Sequence, residues 1–357
     1  MKIAVGLSGG VDSAAAAVLL LEQGHEVIGI TMKIWRDGRY RGGSGDACFG
    51  PGEKDDVESA RLLCERLRIP YHAFDCADEY EKIVLDYFRS EYDTGGTPNP
   101  CVRCNSLMKF GVLPSLARRS GLDFDFFATG HYARTGFENG RHFLRTGTDP
   151  RKDQSYFLYR LRQDQLKSLL LPLGNLTKPE VREFVRRQGL AVAAKPDSQD
   201  FYAGDYAELL NKPDSWGNIV DESGKVLGRH RGYWHFTIGQ RRGLGVSASE
   251  PLFVIGVEPC RNEVVVGKKN AAFSRRIIVR DCNWVSVPPP VEPFDAEVKV
   301  RSASGFEKIR VNPLPEGHLE LSSADGIFAA AAGQSAVLYR DSLLLGGGII
   351  RETYDAL

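Results

Sequence analysis

The chain has 357 residues, 42% hydrophobic and 26% charged, with 46 Lys plus Arg against 46 Asp plus Glu. That length suits two or three domains with proper cores, and the charge balance excludes a global positive field, so a nucleic-acid partner needs a local basic patch. The longest apolar run, Ala14 to Leu21, is too short to cross a bilayer, and glycines cut the N-terminal apolar stretch, so no signal peptide is read and a cytoplasmic location is expected. Seven cysteines, odd in number and scattered, argue against a disulfide framework and for thiol or metal chemistry.

In chain order, Ile3 to Leu7 reads as a strand and Ala14 to Leu21 as part of a helix, joined by Ser8-Gly9-Gly10-Val11-Asp12-Ser13. Strand, glycine loop and helix form the layout in which backbone N–H groups and a helix N-terminus face an anion. Adjacent glycines permit a close approach that side chains forbid. Asp12 can complement the positive helix end or hold Mg2+, and Ser8 and Ser13 add hydroxyl donors for phosphate oxygens. No lysine follows, so this is not the loop that grips β- and γ-phosphates through a Gly-Lys-Ser/Thr ending. The competing reading is a plain helix start capped by Asp12.

Gly24 predicts a helix stop, His25 to Ile34 a second strand, and Arg36 to Gly52, which holds Cys48, a loop. Asp55 to Leu67 has helical spacing, Pro70 to Phe74 reads as a strand, and Glu79 to Tyr92 as a helix. Thr94 to Pro100 breaks the pattern, Met108 to Arg119 is helical, and Asp125 to His131 is a strand ending in a glycine turn. Alternating strands and helices predict an α/β fold with a doubly wound parallel sheet. Ligands of such sheets sit beyond the carboxyl ends of the strands, where the glycine loop, Met32, the Cys101 region and Gly130 all fall. Ser155 to Ala194 reads as helical, with a helix start at Thr177-Lys178-Pro179-Glu180. After about Asn211 the segments become short and β-branched, predicting a small central β-rich domain and then a C-terminal β-barrel. The expected parts are 1–210, 211–277 and 278–357.

Cys101 and Cys104 form the only C-x-x-C, on a proline-fixed loop before a helix whose dipole is expected to lower a thiol pKa, with Arg103 and Lys109 assisting. Structural zinc needs four ligands, and no second C-x-x-C exists. Lys225, Arg229, Arg231, Arg241 and Arg242, interleaved with Tyr233, Trp234, His235 and Phe236, read either as an RNA-binding patch or as a charged face over core aromatics. Cys64, Cys76, Cys260 and Cys282 read as packed.

The hexapeptide resembles the loop of the PP-loop ATP pyrophosphatases, which split ATP into AMP and pyrophosphate to activate a carbonyl oxygen. SGGVDS, TPNPCVRCN, ATGHYAR, KDQSYFLY, KPDSQD, TIGQRRGLG and AGQSAVLY occur in the order seen in the tRNA-specific 2-thiouridylases, which place sulfur on C2 of the wobble uridine. The resemblance implies a PP-loop ATP-binding domain, a central domain and a tRNA-contacting barrel. It assigns ATP and Mg2+ to Gly6, Leu7, Ser8, Gly9, Gly10, Val11, Asp12, Ser13, Met32 and Gly130, and the nucleophile to Cys104. It places Asn99, Pro100 and Cys101 beside the target base, and gives tRNA contacts to His131, Lys152, Asp153, Gln154, Arg301 and Gln334, with Ser302 where an aromatic is usual. The implied partners are tRNA and a sulfur donor: a sulfur-relay protein, a cysteine desulfurase or free sulfide. Persulfide-using members carry a second catalytic cysteine after KPDSQ, where this chain has Tyr202. Two repairs stay open. Cys101 can resolve Cys104 as a dithiol, or Cys48, Cys101 and Cys104 can hold a [4Fe–4S] cluster. Rival readings are another PP-loop enzyme acting on a small molecule, and a nucleotide-binding sulfur carrier.

Overall fold

The computed structural model describes residues 1–43, 47–196 and 200–354, so Asp197, Ser198 and Gln199 of the KPDSQD motif lie outside the described residues. The N-terminal strands are β1 (Lys2–Gly6), β2 (Glu26–Lys33), β3 (Ala47–Phe49), β4 (Tyr71–Asp75), β5 (Phe126–Ala128), the pair β6 (Ala133–Glu138) and β7 (Arg141–Thr146), β8 (Leu169–Leu170) and β9 (Asp200–Tyr202). Five of them form a parallel sheet in the order β4–β2–β1–β5–β8. Its central strand is buried on both faces, with Ile3, Ala4 and Val5 fully enclosed, which is why it reads as a continuous apolar run. Helix α1 (Val11–Glu22) lays Ala14 to Ala17 against this sheet, all four fully buried. Small side chains there let the helix sit close, so the loop between β1 and α1 opens at the strands' carboxyl ends.

Residues 155–194, expected as helical, are instead broken up. A 3-10 turn (Ser155–Leu158), a one-turn helix (Gln163–Leu166) and β8 precede the true helix, Lys178–Arg187. Pro172 and Gly174 interrupt the apolar run, and the short Leu169–Leu171 stretch carries no period that separates strand from helix. The expected start holds: Thr177 and Glu180 form a capping box, Thr177 N donating to Glu180 Oε2 at 2.7 Å.

The central part contains β10 (Gly217–Asp221), β11 (Val226–His230), β12 (Phe253–Glu258) and β13 (Glu263–Gly267), in the order β11–β10–β13–β12. Six strands then close a barrel: β14 (Phe273–Trp284), β15 (Phe294–Lys299), β16 (Glu307–Pro313), β17 (Leu319–Phe328), β18 (Ser335–Arg340) and β19 (Leu343–Tyr354). Their order is β14–β17–β16–β15–β18–β19, with β19 pairing back onto β14. β14 runs unbroken through the expected join at 277/278.

The β6–β7 hairpin, absent from the sequence reading, leaves the N-terminal part and extends the barrel sheet: β7 pairs with β19 through Leu144↔Leu344 and Arg145↔Leu343. Beside it lies a buried polar seam between two of the sequence motifs. Ser155 Oγ and Tyr339 Oη lie 3.1 Å apart, Tyr156 Oη donates to the Ser335 carbonyl at 3.0 Å, and Ser335 Oγ donates to Tyr159 Oη at 3.2 Å. KDQSYFLY and AGQSAVLY thus meet face to face and set the barrel against the N-terminal part. Leu144 is fully buried at this seam. We expect Leu144→Ala to cost about 2–5 kcal/mol in urea unfolding, with the loss of cooperativity showing first at the junction between the two parts.

Candidate active site

The glycine loop is shaped by contacts that leave no room for side chains. Gly9 has φ +70°, and a Cβ there would sit 2.4 Å from the Asp56 carbonyl oxygen. A Cβ on Gly130 would lie 2.5 Å from the Asp12 carbonyl carbon and 2.8 Å from Ser13 N. The turn after β5 therefore abuts the first turn of α1. Ser8 N donates to Ser13 Oγ at 3.2 Å, and Thr31 Oγ1 donates to the Leu7 carbonyl at 2.9 Å, pinning the loop at both ends. Gly6 ends β1, Leu7 and Val11 are buried, Gly10 N-caps α1, and Met32 stands half-buried at the end of β2.

The sequence shows no lysine in this loop, yet the structure brings two to it. Lys178 Nζ donates to both carboxylate oxygens of Asp12 at 2.8 Å, and Tyr132 Oη donates to Oδ1 at 2.7 Å. Lys195, from KPDSQD, donates to the Gly9 carbonyl at 3.2 Å and pairs with Asp56. Asp12 thus has its charge committed to a buried ammonium. Lys178 was legible only as part of a helix start, because nothing local links it to a loop 166 residues earlier.

The thiol pair sits on a continuous helix of residues 100–119, built from Pro100–Arg103, a π-wound stretch Cys104–Val112, and Leu113–Arg119. Asn99 caps it, its Oδ1 accepting from Val102 N at 3.2 Å, with Pro100 in the first position. Cys101 and Cys104 are half-buried three residues apart, on one face. The expected lowering of their pKa by the helix dipole is overturned. Burial pushes Cys101 up to about 12 and Cys104 up to about 11, and only Lys109 draws them back. The dipole argument fails because the thiols sit in an apolar cluster with Tyr80 and Phe201, not in water.

Asn105, the residue after Cys104, links this helix to the nucleotide loop. Its Oδ1 lies 3.1 Å from His131 Nε2, and His131 Nδ1 lies 2.8 Å from Thr129 Oγ1. His131 directly follows Gly130, which packs on Asp12 and Ser13. His131, expected at the tRNA, is buried, and burial, aided by Lys109, pushes its pKa down to about 3. It is therefore a neutral ring donating to Asn105 and accepting from Thr129.

Cys48 lies on β3, which pairs with β9 through Ala47↔Asp200 and Phe49↔Tyr202. Cys48 adds to the rise at both Cys101 and Cys104, so the three cysteines lie in one region. Among the described residues, however, no group of three or more His, Cys, Asp or Glu is placed to hold a metal ion. Tyr202 is buried, donates to Glu208 and accepts from Gly42 N at 3.2 Å. It ties down the loop that carries Cys48 and brings no thiol.

Four expected tRNA residues gather at one cavity of about 280 Å³: Asn99, Arg301, Ser302 and Gln334. Tyr156 and Phe157 add aromatic walls. Gln334 Nε2 donates to the Thr97 and Pro98 carbonyls at 3.2 and 2.9 Å, and Arg301 donates to the Ile238 carbonyl. Asp153 and Gln154 point inward instead. Asp153 accepts from Gly147 N and Ser155, and Gln154 Oε1 accepts from Tyr132 N. Lys152 is half-buried beside them. The basic-aromatic patch divides: Lys225, Arg229, Arg231, Arg241 and Arg242 are exposed, whereas Tyr233, Trp234 and Phe236 belong to the core. His235 is exposed, as is Trp216, with the Arg229 guanidinium 5.3 Å above its ring. Cys260, expected to be packed, is exposed in a 3-10 turn, while Cys64 and Cys76 are buried.

Family models match most of the chain: a tRNA methyl transferase HUP domain at residues 1–202, a tRNA methyl transferase PRC-barrel domain at 209–268, and an aminomethyltransferase beta-barrel domain at 274–350. The tRNA-specific 2-thiouridylase MnmA of Endomicrobium trichonymphae is 45% identical, covering 98% of this chain and 99% of the relative. The protein of the same name from Gloeothece citriformis is 44% identical over the same shares. The chain belongs to the tRNA-specific 2-thiouridylase family. Two of the matching models are described by methyl transfer, yet the glycine loop and paired thiols of this thiouridylase-family chain suit nucleotide and sulfur chemistry.

Two outcomes follow from this geometry. Gly130→Ala forces a methyl into the α1 backbone, so ATP affinity should fall at least about tenfold, or 1.4 kcal/mol, by calorimetric titration with the far-UV spectrum unchanged. For His131 the folded pKa lies below the unfolded value, so acid favours the unfolded state, which takes the proton. Stability should fall by about 2 kcal/mol from pH 6.5 to 5, a slope that His131→Gln removes in urea unfolding.

Proposed function

We propose that this family member transfers sulfur to C2 of the wobble uridine of tRNA after ATP has activated the uracil oxygen. The observation that carries the reading is the Asn105–His131 hydrogen bond, which couples the thiol helix to the turn packed on the glycine loop. Residues 1–210 would carry nucleotide and sulfur chemistry, with 211–277 and 278–357 holding tRNA. Seven free cysteines suit a reducing, cytoplasmic location; among the described residues no helix is long and apolar enough to cross a membrane.

In this reading, the loop of Ser8 to Ser13 binds ATP as its magnesium complex, the metal offsetting phosphate charge. Lys178 and Lys195, paired with Asp12 and Asp56, flank the loop. A uridine flipped into the cavity by Asn99 and Arg301 presents O2 to the α-phosphorus. The oxygen attacks, the P–O bond to pyrophosphate breaks, and C2 now carries AMP as its leaving group. Cys104 has taken sulfur from a donor persulfide, the donor leaving as a thiol. The terminal sulfur of Cys104 attacks C2 and the C2–O bond to AMP breaks. The Cys101 thiolate then attacks Cys104 Sγ, releasing the 2-thiouridine sulfur and leaving a Cys101–Cys104 disulfide, which an external dithiol reduces. The i, i+3 spacing supports this pairing, and with no metal-binding group among the described residues, no step runs through a cluster.

Cys104→Ser should abolish thiolation while ATP binding and tRNA-dependent pyrophosphate release persist; retained thiolation would reject the nucleophile. Anaerobically purified protein should contain iron well below one cluster per chain. Iron and sulfide at that level would replace the dithiol scheme.

A further inference from the structure

We propose that the β6–β7 hairpin is a second tRNA contact, at which the guanidinium groups of Arg134 and Arg145 hold backbone phosphates of the RNA. The proposal rests on the reading of tRNA as substrate and extends the bound surface beyond the cavity of Asn99 and Arg301.

The first observation is a pairing that is unfavourable until an anion joins it. Arg134 and Arg145 are directly opposite each other in the hairpin, so two like charges share one face with about 5 Å between their Cβ atoms. Among the described residues neither is paired with a carboxylate; each is anchored to a neutral group. Arg134 Nε donates to the Thr146 carbonyl at 2.8 Å, and Arg145 Nη1 donates to Ser342 Oγ at 3.2 Å. The acids of the following loop are engaged elsewhere. Asp149 accepts from Arg151 N and Lys178 N, and Asp153 from Gly147 N and from Ser155. Glu138, the hairpin's own carboxylate, is exposed at the tip opposite Arg141.

The second is how Arg145 is held. The Phe143 ring fills the space over Gly136, where a Cβ would lie 2.3 Å from Phe143 Cζ. The Arg145 guanidinium sits 5.2 Å from the centre of that ring. A cation on a ring face keeps its charge while its motion is restricted, and a planar fork of N–H donors matches phosphate oxygens.

The third is location. Tyr132, two residues before Arg134, donates its N–H to Gln154 Oε1 at 3.0 Å and accepts from Gln154 N at 2.9 Å. Gln154 lies two residues before Tyr156, a wall of the cavity. RNA entering that cavity therefore passes the base of the hairpin. Asp153 and Gln154 point inward there and His131 is buried, which leaves the arginine pair and exposed Arg151 to meet the phosphates.

The test is unmodified tRNA binding to the full-length protein by fluorescence anisotropy, titrated between about 50 and about 200 mM salt. In Arg145→Gln the slope of log Kd against log salt should become shallower by about one, and affinity should fall about threefold or more. Arg145→Lys should keep the slope, since a phosphate contact needs the charge. Arg61→Gln, which removes a guanidinium already paired with Glu58 and Glu65, should leave slope and affinity unchanged. Without RNA, Arg145→Gln should keep wild-type ATP affinity and unfold at no lower urea concentration, because it relieves the like-charge pair. An unmoved slope in Arg145→Gln, an equal change in Arg61→Gln, a loss of ATP affinity or a lowered urea midpoint overturns the proposal. Wild-type protein that fails to bind tRNA would instead remove the reading on which it rests.

Discussion

The site depends on one close backbone approach, where Gly130 meets the Asp12–Ser13 peptide. Because only hydrogen fits between them, the carboxyl end of β5 is locked to the first turn of α1. His131 then carries that fixed point across to Asn105 and the thiol helix. A ring with its two nitrogens satisfied inside the protein cannot swing, so the distance between nucleotide loop and thiols is set by covalent geometry and two hydrogen bonds. The proposed passage from phosphorus to carbon to sulfur would need such rigidity, because a displacement of about an ångström can cost two orders of magnitude.

The same constraint propagates outward. Tyr132 donates to Asp12 through its hydroxyl, while its backbone N–H donates to Gln154. Gln154 belongs to KDQSYFLY, whose Ser155, Tyr156 and Tyr159 bond to the barrel at Tyr339 and Ser335. A contact at the barrel cavity is thus connected to the α1 end of the loop by packed, hydrogen-bonded side chains. Asp153 and Gln154, which family resemblance places at the tRNA, are the internal struts of this connection.

What was legible in the sequence was whatever local pattern determines. The glycine loop, the parallel sheet with its buried β1, the Thr177 capping box and the short strands of the barrel all write their geometry into neighbouring residues. What stayed hidden depends on distant pairings. Lys178 and Lys195 reach the loop from far along the chain, and the β6–β7 hairpin lends its edge to a barrel two hundred residues away. Tyr233, Trp234 and Phe236 were ambiguous because an aromatic beside arginines serves a core as readily as a base stack. The thiol pKa reading erred for a related reason: a helix dipole is visible in sequence, whereas burial is not. His131 shows the limit of residue-by-residue transfer, since a motif can be matched while its side chain points inward.

The replacement of a second cysteine by Tyr202 gains meaning from this arrangement. Tyr202 fills apolar volume, bonds to Glu208 and Gly42, and steadies the strand that carries Cys48. With no thiol at that position, the proposed dithiol scheme places the division of labour within the helix, between residues 101 and 104. Those two thiols differ in setting, because the π-wound stretch begins at Cys104 and leaves Cys101 on the α-wound side. Burial raises both, but Cys101 lies higher, with Asp200 adding to the rise. The proposed dithiol therefore needs no thiol from another loop, because both of its sulfurs lie on one face of a single helix.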